Sequence, residues 1–361
     1  MTSRTYIRPT GIMPAPSLLE EESFFGGLPL TGDGSLYYTA VEIYTRAGEG
    51  GVQRRTCGLG ELWEKDFGEA GADVSGILER ISDPRSRICG LGFDRPLIMG
   101  VVNVTPDSFS DGGRFLDTQA AIAHALRLED EGADILDIGA ESTRPNADIV
   151  SLDEELRRVI PVVEGLVGRV DARISIDTRK SGVMLEAADA GADIINDVTA
   201  LSHDDDAMEI AAKTDLPIIL MHAQGTPQTM QDKPEYEHVL LDVYDYLESR
   251  IAACVDAGIA RSRLVVDPGI GFGKTVGHNV ELIGGISLFH GLGVPILLGA
   301  SRKRFIGEIT GVKDAEKRLP GSLAAAQMAA SQGVQIIRVH DVGETRQALE
   351  MWRSISTGNT G

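Results

Sequence analysis

From residue 96 onward, short apolar runs rich in β-branched residues alternate with longer stretches, eight times in about 260 residues. The eight runs are PLIMGVVN (96–103), ADILDIGAES (133–142), ARISIDT (172–178), ADIINDV (192–198), PIILMHA (217–223), RLVVDPG (263–269), PILLGAS (295–301) and QIIRVHD (335–341). Near-continuous apolar strands separated by helices are typical of a parallel sheet covered on both faces. Eight such units predict an α/β fold, a (β/α)8 TIM barrel over residues 96–355. A doubly wound open sheet is the alternative, although it usually has fewer strands.

Four of the intervening stretches space their apolar residues three and four apart, which predicts amphipathic helices. These stretches are DTQAAIAHALRLEDEG (117–132), KSGVMLEAADAG (180–191), VLLDVYDYLESRIAACVDAG (239–258) and GSLAAAQMAASQG (321–333). In the first of them we expect Asp117 to be the N-cap and Gly132 to end the helix.

Residues 1–90 show no such alternation, and we predict a small α+β extension or subdomain of unknown role ahead of the barrel. Within it SLYYTAVEIYTRA (35–47) favours strand, and GELWEKDFGEAGADVSGILERIS (60–82) favours helix. A partly disordered tail is the alternative for this part of the chain.

The composition excludes several classes of protein. There are 34 Lys and Arg against 54 Asp and Glu, a net charge of −20 with no basic tract, so neither nucleic acid nor an anionic membrane is expected as a partner. No apolar stretch approaches the roughly 20 residues of a membrane span, and no secretory signal is visible, so we expect a cytoplasmic protein. The three cysteines form no CxxC pair and are interpreted as reduced, mostly buried thiols.

Polar residues end every predicted strand, and in a TIM barrel the carboxyl ends of the strands carry the active site. One such residue has a simple explanation as a cap for the next helix, but eight polar ends in succession predict a common site. The residues concerned are Asn103, Asp137, Asp177, Asn196, Asp197, His222, Asp267, Lys303, Arg338 and His340.

These residues fall into chemical groups. Asp177, Asn196 and Asp267 offer hydrogen-bond acceptors, which at the base of a pocket favour a ligand rich in N–H groups, such as an aminated heterocycle. Asp137 lies deeper in its strand and is equally compatible with scaffold and site. Lys303, Arg338 and His340 form a cationic set suited to a phosphate or pyrophosphate, and Arg144 adds to it.

Two glycine-containing loops complete the set of candidates. The loop NVTPDSFSDGGRF (103–115) is longer than a tight turn needs and is interpreted as a lid, with Asn103 as an oxygen ligand for Mg²⁺. The loop DPGIGFGKT (267–275) resembles a phosphate-binding loop but has Pro268 where the first glycine is required. Its glycines permit close approach of the backbone to a ligand, and Phe272 either packs on an aromatic ring or belongs to the core.

Taken in order, these motifs resemble those of the dihydropteroate synthases. MGVVNVTPDSFSDGG (99–113) and GADILDIGAESTRP (132–145) match the first two signatures of that family, and SIDT, INDV, LMH, DPGIGFGK, LLGASRK and RVHDV follow in the family's order over about 97–355. The resemblance implies a transferase of folate biosynthesis and a sulfonamide target. It would join 6-hydroxymethyl-7,8-dihydropterin diphosphate to p-aminobenzoate, giving 7,8-dihydropteroate and pyrophosphate.

The resemblance also implies roles for individual residues. The pterin would be held by Asp177, Asn196, Met221, Asp267 and Lys303. The diphosphate would be held by Asn103, Arg144, Arg338 and His340, with Asn103 also on Mg²⁺. The p-aminobenzoate would be bordered by Thr143, Pro145, Phe272 and the stem of Lys303. Catalysis would rest on Lys303, Arg338, His340 and Asp177. Members of the family are commonly homodimers, which is the assembly expected here.

Two other functions remain open at this point. One is a pterin-binding methyltransferase that uses methyltetrahydrofolate on the same barrel, and the other is a non-catalytic pterin-binding module. The long first loop and the cationic motifs SRK (301–303) and RVH (338–340) favour the synthase, because a methyltransferase handles no diphosphate.

Overall fold

The structure is a computed structural model and describes residues 4–15, 26–32, 34–46, 51–63, 71–104, 114–141, 150–225 and 234–358. Among these, no helix is both long and apolar enough to cross a membrane.

Residues 4–82 form an N-terminal subdomain with two small antiparallel sheets. Its elements are β1 (Arg4–Thr10), β2 (Met13–Pro14), β3 (Leu28–Leu30), β4 (Leu36–Tyr38), β5 (Ala40–Arg46), β6 (Val52–Gly58), α1 (Leu59–Trp63) and α2 (Gly71–Ser82). The sheet orders are β1-β5-β6 and β2-β4-β3. The predicted strand at 35–47 contains β4 and β5. The predicted helix at 60–82 contains most of α1 and all of α2, with 64–70 outside the described residues.

The subdomain has a hydrophobic core of its own, to which both sheets and both helices contribute. Its fully buried members include Ile7, Leu30, Tyr38, Val41 and Ile81. In β5, buried and half-buried side chains stand on both faces, because one face covers this core and the other lies against the rest of the protein. The tyrosines Tyr6 and Tyr44 belong to the larger core that follows, so the subdomain and the rest of the protein share hydrophobic packing at this contact.

Eight parallel strands then form the barrel, and each lies inside one of the eight predicted runs. They are β7 (Leu97–Asn103), β8 (Ile135–Gly139), β9 (Arg173–Asp177), β10 (Ile194–Asp197), β11 (Ile218–Met221), β12 (Leu264–Asp267), β13 (Leu297–Leu298) and β14 (Ile336–Val339). The sheet order is β12-β11-β10-β9-β8-β7-β14-β13, and a parallel bridge between Val266 and Ile296 joins its two ends. The sheet is therefore closed, which confirms the TIM barrel and excludes the open sheet.

Helices cover the outside of the barrel. They are α3 (Arg114–Asp130), α4 (Leu152–Leu166), α5 (Ser181–Ala190), α6 (Ala207–Thr214), α7 (Val239–Asp256), α8 (Val276–Gly284), α9 (Arg304–Thr310), α10 (Leu319–Ala330) and α11 (Val342–Thr357). The four helices predicted from spacing are α3, α5, α7 and α10.

The expected start of α3 is wrong. The helix begins at Arg114, so Asp117 lies inside its first turn and is not the N-cap. The segment Arg114–Leu116 has ordinary helix propensity and lets the helix extend toward the preceding loop. The expected end is confirmed, because Gly132 adopts φ +100° just after the last helical residue.

The amino-terminal end of the barrel is filled with apolar side chains. Leu97, Met99 and Ile135 contribute from their strands, and Ile88, paired with Leu91, packs against them from the segment before β7. Ile194, Ile219, Val265, Leu297 and Ile336 complete this cluster. Because the described residues close this end, the carboxyl ends of the strands are the side from which a ligand would reach the barrel axis.

Candidate active site

At the carboxyl ends of β8, β9 and β10, the side chain of Asp137 forms the base of the site and is 1% exposed. It accepts hydrogen bonds from Ser175 Oγ at 2.7 Å, from Asn196 Nδ2 at 3.1 Å and from Arg338 Nε at 2.6 Å. Both carboxylate oxygens are thus used within the protein. The sequence left open whether Asp137 is part of the scaffold or of the binding site. Because Asp137 orients its neighbours through these hydrogen bonds, we interpret it as part of the scaffold.

Asn196 is fixed by this arrangement in one orientation. Since its amide nitrogen donates to Asp137, its Oδ1 is left as an acceptor. Asp177 accepts from Arg338 Nη2 at 2.9 Å through Oδ2, and Asp267 accepts from the backbone N–H of Gly269 at 2.7 Å through Oδ1. Among the described residues, each of these two carboxylates has one oxygen that receives no hydrogen bond. The floor therefore presents acceptors, and it suits a ligand edge that carries N–H groups.

Burial strongly perturbs the charged groups of this floor. Burial, and next the charge of Asp137, raise the pKa of Asp177 to about 7, although Arg338 opposes them. Burial lowers the pKa of Lys303 to about 8 against the opposing attraction of Asp267. Burial also lowers the pKa of Arg338, but Asp137 and Asp177 together outweigh it, so this pKa lies above its ordinary value. A carboxyl and an ammonium group thus titrate near neutral pH, as is common in active sites.

Lys303 lies at the N-cap of α9 and reaches back over the glycine-rich loop after β12. Its Nζ donates to the carbonyl oxygen of Ile270 and lies 4.8 Å from the ring centroid of Phe272, in cation–π geometry. The structure therefore brings these two predicted residues together at one side of the mouth.

The turn before Lys303 is held by residues that sequence reasoning missed. Arg302 adopts φ +58°, an unfavourable conformation for a residue with a side chain. Its guanidinium makes two hydrogen bonds to the carboxylate of Asp341, and its backbone N–H donates to Ser322 Oγ at 2.9 Å. Arg302 and Asp341 directly adjoin the predicted residues Lys303 and His340, and that adjacency was their only signal.

Arg338 on β14 and His340 just after it, both predicted to bind the diphosphate, have different partners. Arg338 points to the carboxylates of the floor, whereas His340 Nδ1 lies 3.0 Å from Ser301 Oγ, beside the Lys303 turn. Arg338 therefore carries its positive charge within the floor itself, where the sequence suggested only an anion contact.

The other predicted residues fall into three groups. Met221 ends β11 beside Asp267 and is 4% exposed, and Asn103 ends β7 with its side chain exposed. Thr143, Arg144, Pro145 and most of the predicted lid lie outside the described residues. Asp197 is 0% exposed and accepts from the backbone of the turn that follows it, so it is a structural cap.

The glycine-rich loop approaches protein backbone more closely than the sequence indicated. A Cβ on Gly269 would lie 1.8 Å from the carbonyl oxygen of His222, and one on Gly273 would lie 2.5 Å from that of Gln224. Both glycines have positive φ angles of +68° and +64°. They are required because this loop packs directly on the backbone of the loop after β11.

Beneath this loop lies a buried lysine that the sequence did not single out. Lys274 is 3% exposed, and its Nζ contacts His222 Nδ1 at 2.9 Å and the carbonyl oxygens of Phe272 and His222 at 3.0 and 3.4 Å. Burial, and next Lys274, lower the pKa of His222 to about 2, so the ring is neutral and accepts at Nδ1. Lys274 thereby joins the two loops and fixes the backbone of Phe272.

We expect Lys274→Met to lower the free energy of unfolding by about 1–3 kcal/mol, because three buried acceptors lose their donor. The measurement is urea unfolding, compared with Lys313→Met on the exposed surface, which should change the midpoint little. Equal unfolding midpoints for the two variants would show that the contacts of Lys274 do not stabilise the protein. The double variant Lys274→Met with His222→Phe should recover part of the lost free energy of unfolding, because it also removes the ring nitrogen of His222 that would otherwise be buried without a donor.

This chain is similar to proteins of a known family. The model of the pterin binding enzyme family matches residues 99–340. The dihydropteroate synthase of Escherichia coli strain K12 is 50% identical over 261 residues, which cover 72% of this chain and 92% of that protein.

Two solved structures are similar in both sequence and fold. The dihydropteroate synthase of Xanthomonas albilineans with 4-aminobenzoic acid is 49% identical with a TM-score of 0.71, and the match covers 75% of this chain and 98% of that chain. The Yersinia pestis dihydropteroate synthase in complex with a sulfonamide drug is 47% identical with a TM-score of 0.71 and the same two coverages, 75% and 98%. The family model begins after the N-terminal subdomain. The chain belongs to the pterin-binding enzymes and, within them, to the dihydropteroate synthases, the transferases that form 7,8-dihydropteroate in folate biosynthesis.

Proposed function

We propose that the floor of the barrel mouth binds the pterin ring of 6-hydroxymethyl-7,8-dihydropterin diphosphate through Asp177, Asn196 and Asp267. The observation that carries this assignment is the orientation of the three groups. The amide N–H group of Asn196 already donates to Asp137. Among the described residues, the floor positions left for a ligand are therefore hydrogen-bond acceptors. The amino and ring N–H groups of a pterin match them. Lys303 donates to the acceptor positions of the same ring, and Met221 packs beside it.

The diphosphate lies toward His340 and Asn103, at the carboxyl ends of β14 and β7, which are neighbours in the sheet. Arg338 lies beneath and supplies positive potential while it holds the floor carboxylates. We assign Arg144, which follows β8 in the sequence, to the diphosphate as well, because an arginine suits a phosphate group.

The p-aminobenzoate lies against Phe272 and the stem of Lys303, and we assign Thr143 and Pro145 to the same substrate. The close pairing of Phe272 with Lys303 supports this arrangement, since it provides an aromatic face and a cation within 4.8 Å of each other. The Xanthomonas albilineans relative was solved with 4-aminobenzoic acid, which is in keeping with such a site.

A magnesium ion fits the donor set at this position. Among the described residues no group of three or more His, Cys, Asp or Glu side chains is placed to hold a metal. Mg²⁺ commonly keeps several waters and takes its remaining ligands from substrate phosphates, so the one amide oxygen of Asn103 is sufficient. When bound, it would neutralise charge on the diphosphate.

The geometry suits a dissociative reaction. The methylene C–O bond breaks with its electron pair going to pyrophosphate, and the resulting cation is stabilised by the pterin ring. The amine nitrogen of p-aminobenzoate then forms the C–N bond and loses a proton to solvent or to a phosphate oxygen. Fixed acceptors hold the ring, and the cations Lys303, Arg338 and His340 stabilise the departing negative charge, so no covalent nucleophile is required.

The test of this function is turnover by the full-length chain. With the pterin diphosphate, p-aminobenzoate and Mg²⁺, we expect pyrophosphate and 7,8-dihydropteroate to form in equal amounts. A coupled phosphate assay measures the pyrophosphate, and mass spectrometry measures the 7,8-dihydropteroate. Removal of Mg²⁺ with EDTA should abolish the signal. Methyl transfer from methyltetrahydrofolate without pyrophosphate release would instead support the methyltransferase, and pterin binding without product would support a non-catalytic module.

The pH profile of kcat/KM should be bell-shaped. Asp177 must be ionised to accept an N–H group, so activity rises as pH increases through its pKa of about 7. Lys303 must be protonated, so activity falls as pH rises through its pKa of about 8. In Asp177→Asn the acid limb should disappear while the alkaline limb stays. An acid limb that is unchanged in this variant would show that another group controls it.

We also propose a homodimer formed by the helices at the end of the barrel. Five of the ten exposed large apolar residues among those described lie on α8, α9, α10 and α11, and α10 packs against the other three helices. They are Val280, Ile309, Met328, Met351 and Ile355. Exposed apolar side chains on helices that pack together are typical of protein–protein contacts.

We place the protein in the cytoplasm, in keeping with its three unpaired thiols.

Light scattering of the purified protein should give the mass of two chains. Met328→Glu at the middle of this surface should shift the mass toward one chain, because a buried unpaired carboxylate is costly. Leu185→Glu on α5, which is also exposed, is the matched control and should remain dimeric. A single-chain mass for the unmodified protein would refute the dimer.

A further inference from the structure

The N-terminal subdomain contacts the barrel at the start of α7, the helix that follows β11. Its strand β5 carries Arg46, whose guanidinium pairs with Asp242 and Asp245 in the first two turns of α7. On the same strand, the ring of Tyr44 meets the ring of His238 edge to face at 5.7 Å. His238 is the N-cap residue of α7, so both contacts act on the start of that helix.

The carboxylate of Asp242 links the two contacts. One oxygen accepts from Arg46, and the other accepts from the backbone N–H of His238 at 3.1 Å. In effect Asp242 closes the first turn of α7, and Arg46 holds Asp242 in the position to do so. A charge-assisted pair of this kind is stronger than a neutral hydrogen bond, and the Arg46 side chain is only 23% exposed.

Two residues before His238, the chain reaches the glycine-rich loop. The hydroxyl of Tyr236 donates to the carbonyl oxygen of Gly273 at 2.8 Å, and its ring packs on that of His278 at 5.0 Å. Gly273 follows Phe272 directly. Contacts therefore lead from Arg46 through Asp242 to His238, the chain itself leads from His238 to Tyr236, and Tyr236 contacts the glycine-rich loop next to Phe272, which is assigned above to p-aminobenzoate.

We propose that the N-terminal subdomain is a positioning element for the p-aminobenzoate side of the site, acting through Arg46 and Tyr44 on the start of α7. This inference rests on the proposed function for the identity of the substrate. The acceptors of the pterin floor are oriented by other contacts, made by Asp137, Arg338 and the backbone N–H of Gly269 at the far end of the glycine-rich loop from Gly273. Loosening the path should therefore weaken the binding of p-aminobenzoate more than the binding of the pterin diphosphate.

The same interface offers a matched control. Arg4 on β1 pairs with Asp245 and Glu248, farther along α7 and away from His238. Both arginines attach the subdomain to one helix, but only Arg46 contacts the carboxylate that closes the first turn. Comparing Arg46→Met with Arg4→Met thus separates two effects: loss of an ion pair that attaches the subdomain to α7, and loss of the contact that positions the start of α7.

In the full-length protein we expect Arg46→Met to raise KM for p-aminobenzoate about fivefold or more, a typical size for coupling between sites. KM for the pterin diphosphate should stay within about twofold of the unmodified protein, and Arg4→Met should change neither value. Tyr44→Leu should act as Arg46→Met does. Equal effects of the two arginine variants, or a parallel rise for both substrates, would overturn the proposal.

Hydrogen exchange without any substrate keeps this test separate from the test of the proposed function. Residues 234–242 and 270–275 should exchange faster in Arg46→Met than in the unmodified protein and should be unchanged in Arg4→Met. If Arg46→Met fails to fold, Arg46→Lys, which retains the charge but not the paired contact, replaces it. Unchanged exchange in the Arg46 variant overturns the positioning role even if the reaction itself proceeds as proposed.

Discussion

The bridge that Arg338 makes between Asp137 and Asp177 is the interaction on which the rest of the site depends. Two carboxylates so close together at the base of a barrel are costly unless a cation compensates them. Arg338 comes from β14 and they come from β8 and β9, so the bridge joins three strands of the barrel at the base of the site. It holds Asp137 in the position that orients the amide of Asn196. The acceptor positions of Asn196 and Asp177 follow from this bridge, whereas that of Asp267 is set by the backbone N–H of Gly269.

The opposite wall depends on backbone contacts. The glycine-rich loop after β12 is held from above by Lys303, from below by Lys274, and along its length by close packing on the loop after β11. The reaction proposed above, in which a second substrate meets a short-lived cation, would benefit from such a rigid wall, because little reorganisation is needed when the reaction occurs. The N-terminal subdomain reaches this wall through the start of α7.

Much of the architecture was predictable, because β-branched apolar runs and helical periodicity report directly on a parallel barrel. The strand-end residues were likewise predictable as a group, since the fold brings those ends together. The individual roles were less so. Asp137 was undecided because its burial and three hydrogen bonds depend on other strands. Lys274 looked like part of a failed phosphate-binding motif, and nothing local indicated that it is buried against His222.

The sequence by itself determined the barrel, the family, the location of the site and the chemical types of group within it, because periodicity and ordered motifs are local properties of the chain. Only the tertiary structure decided which of those groups hold one another and which keep an open hydrogen-bonding position. Arg338 and Asp137 are 201 residues apart, and Arg46 and Asp242 are 196 apart. Such pairings depend on the closure of the barrel and on the docking of the subdomain, which the local sequence does not encode.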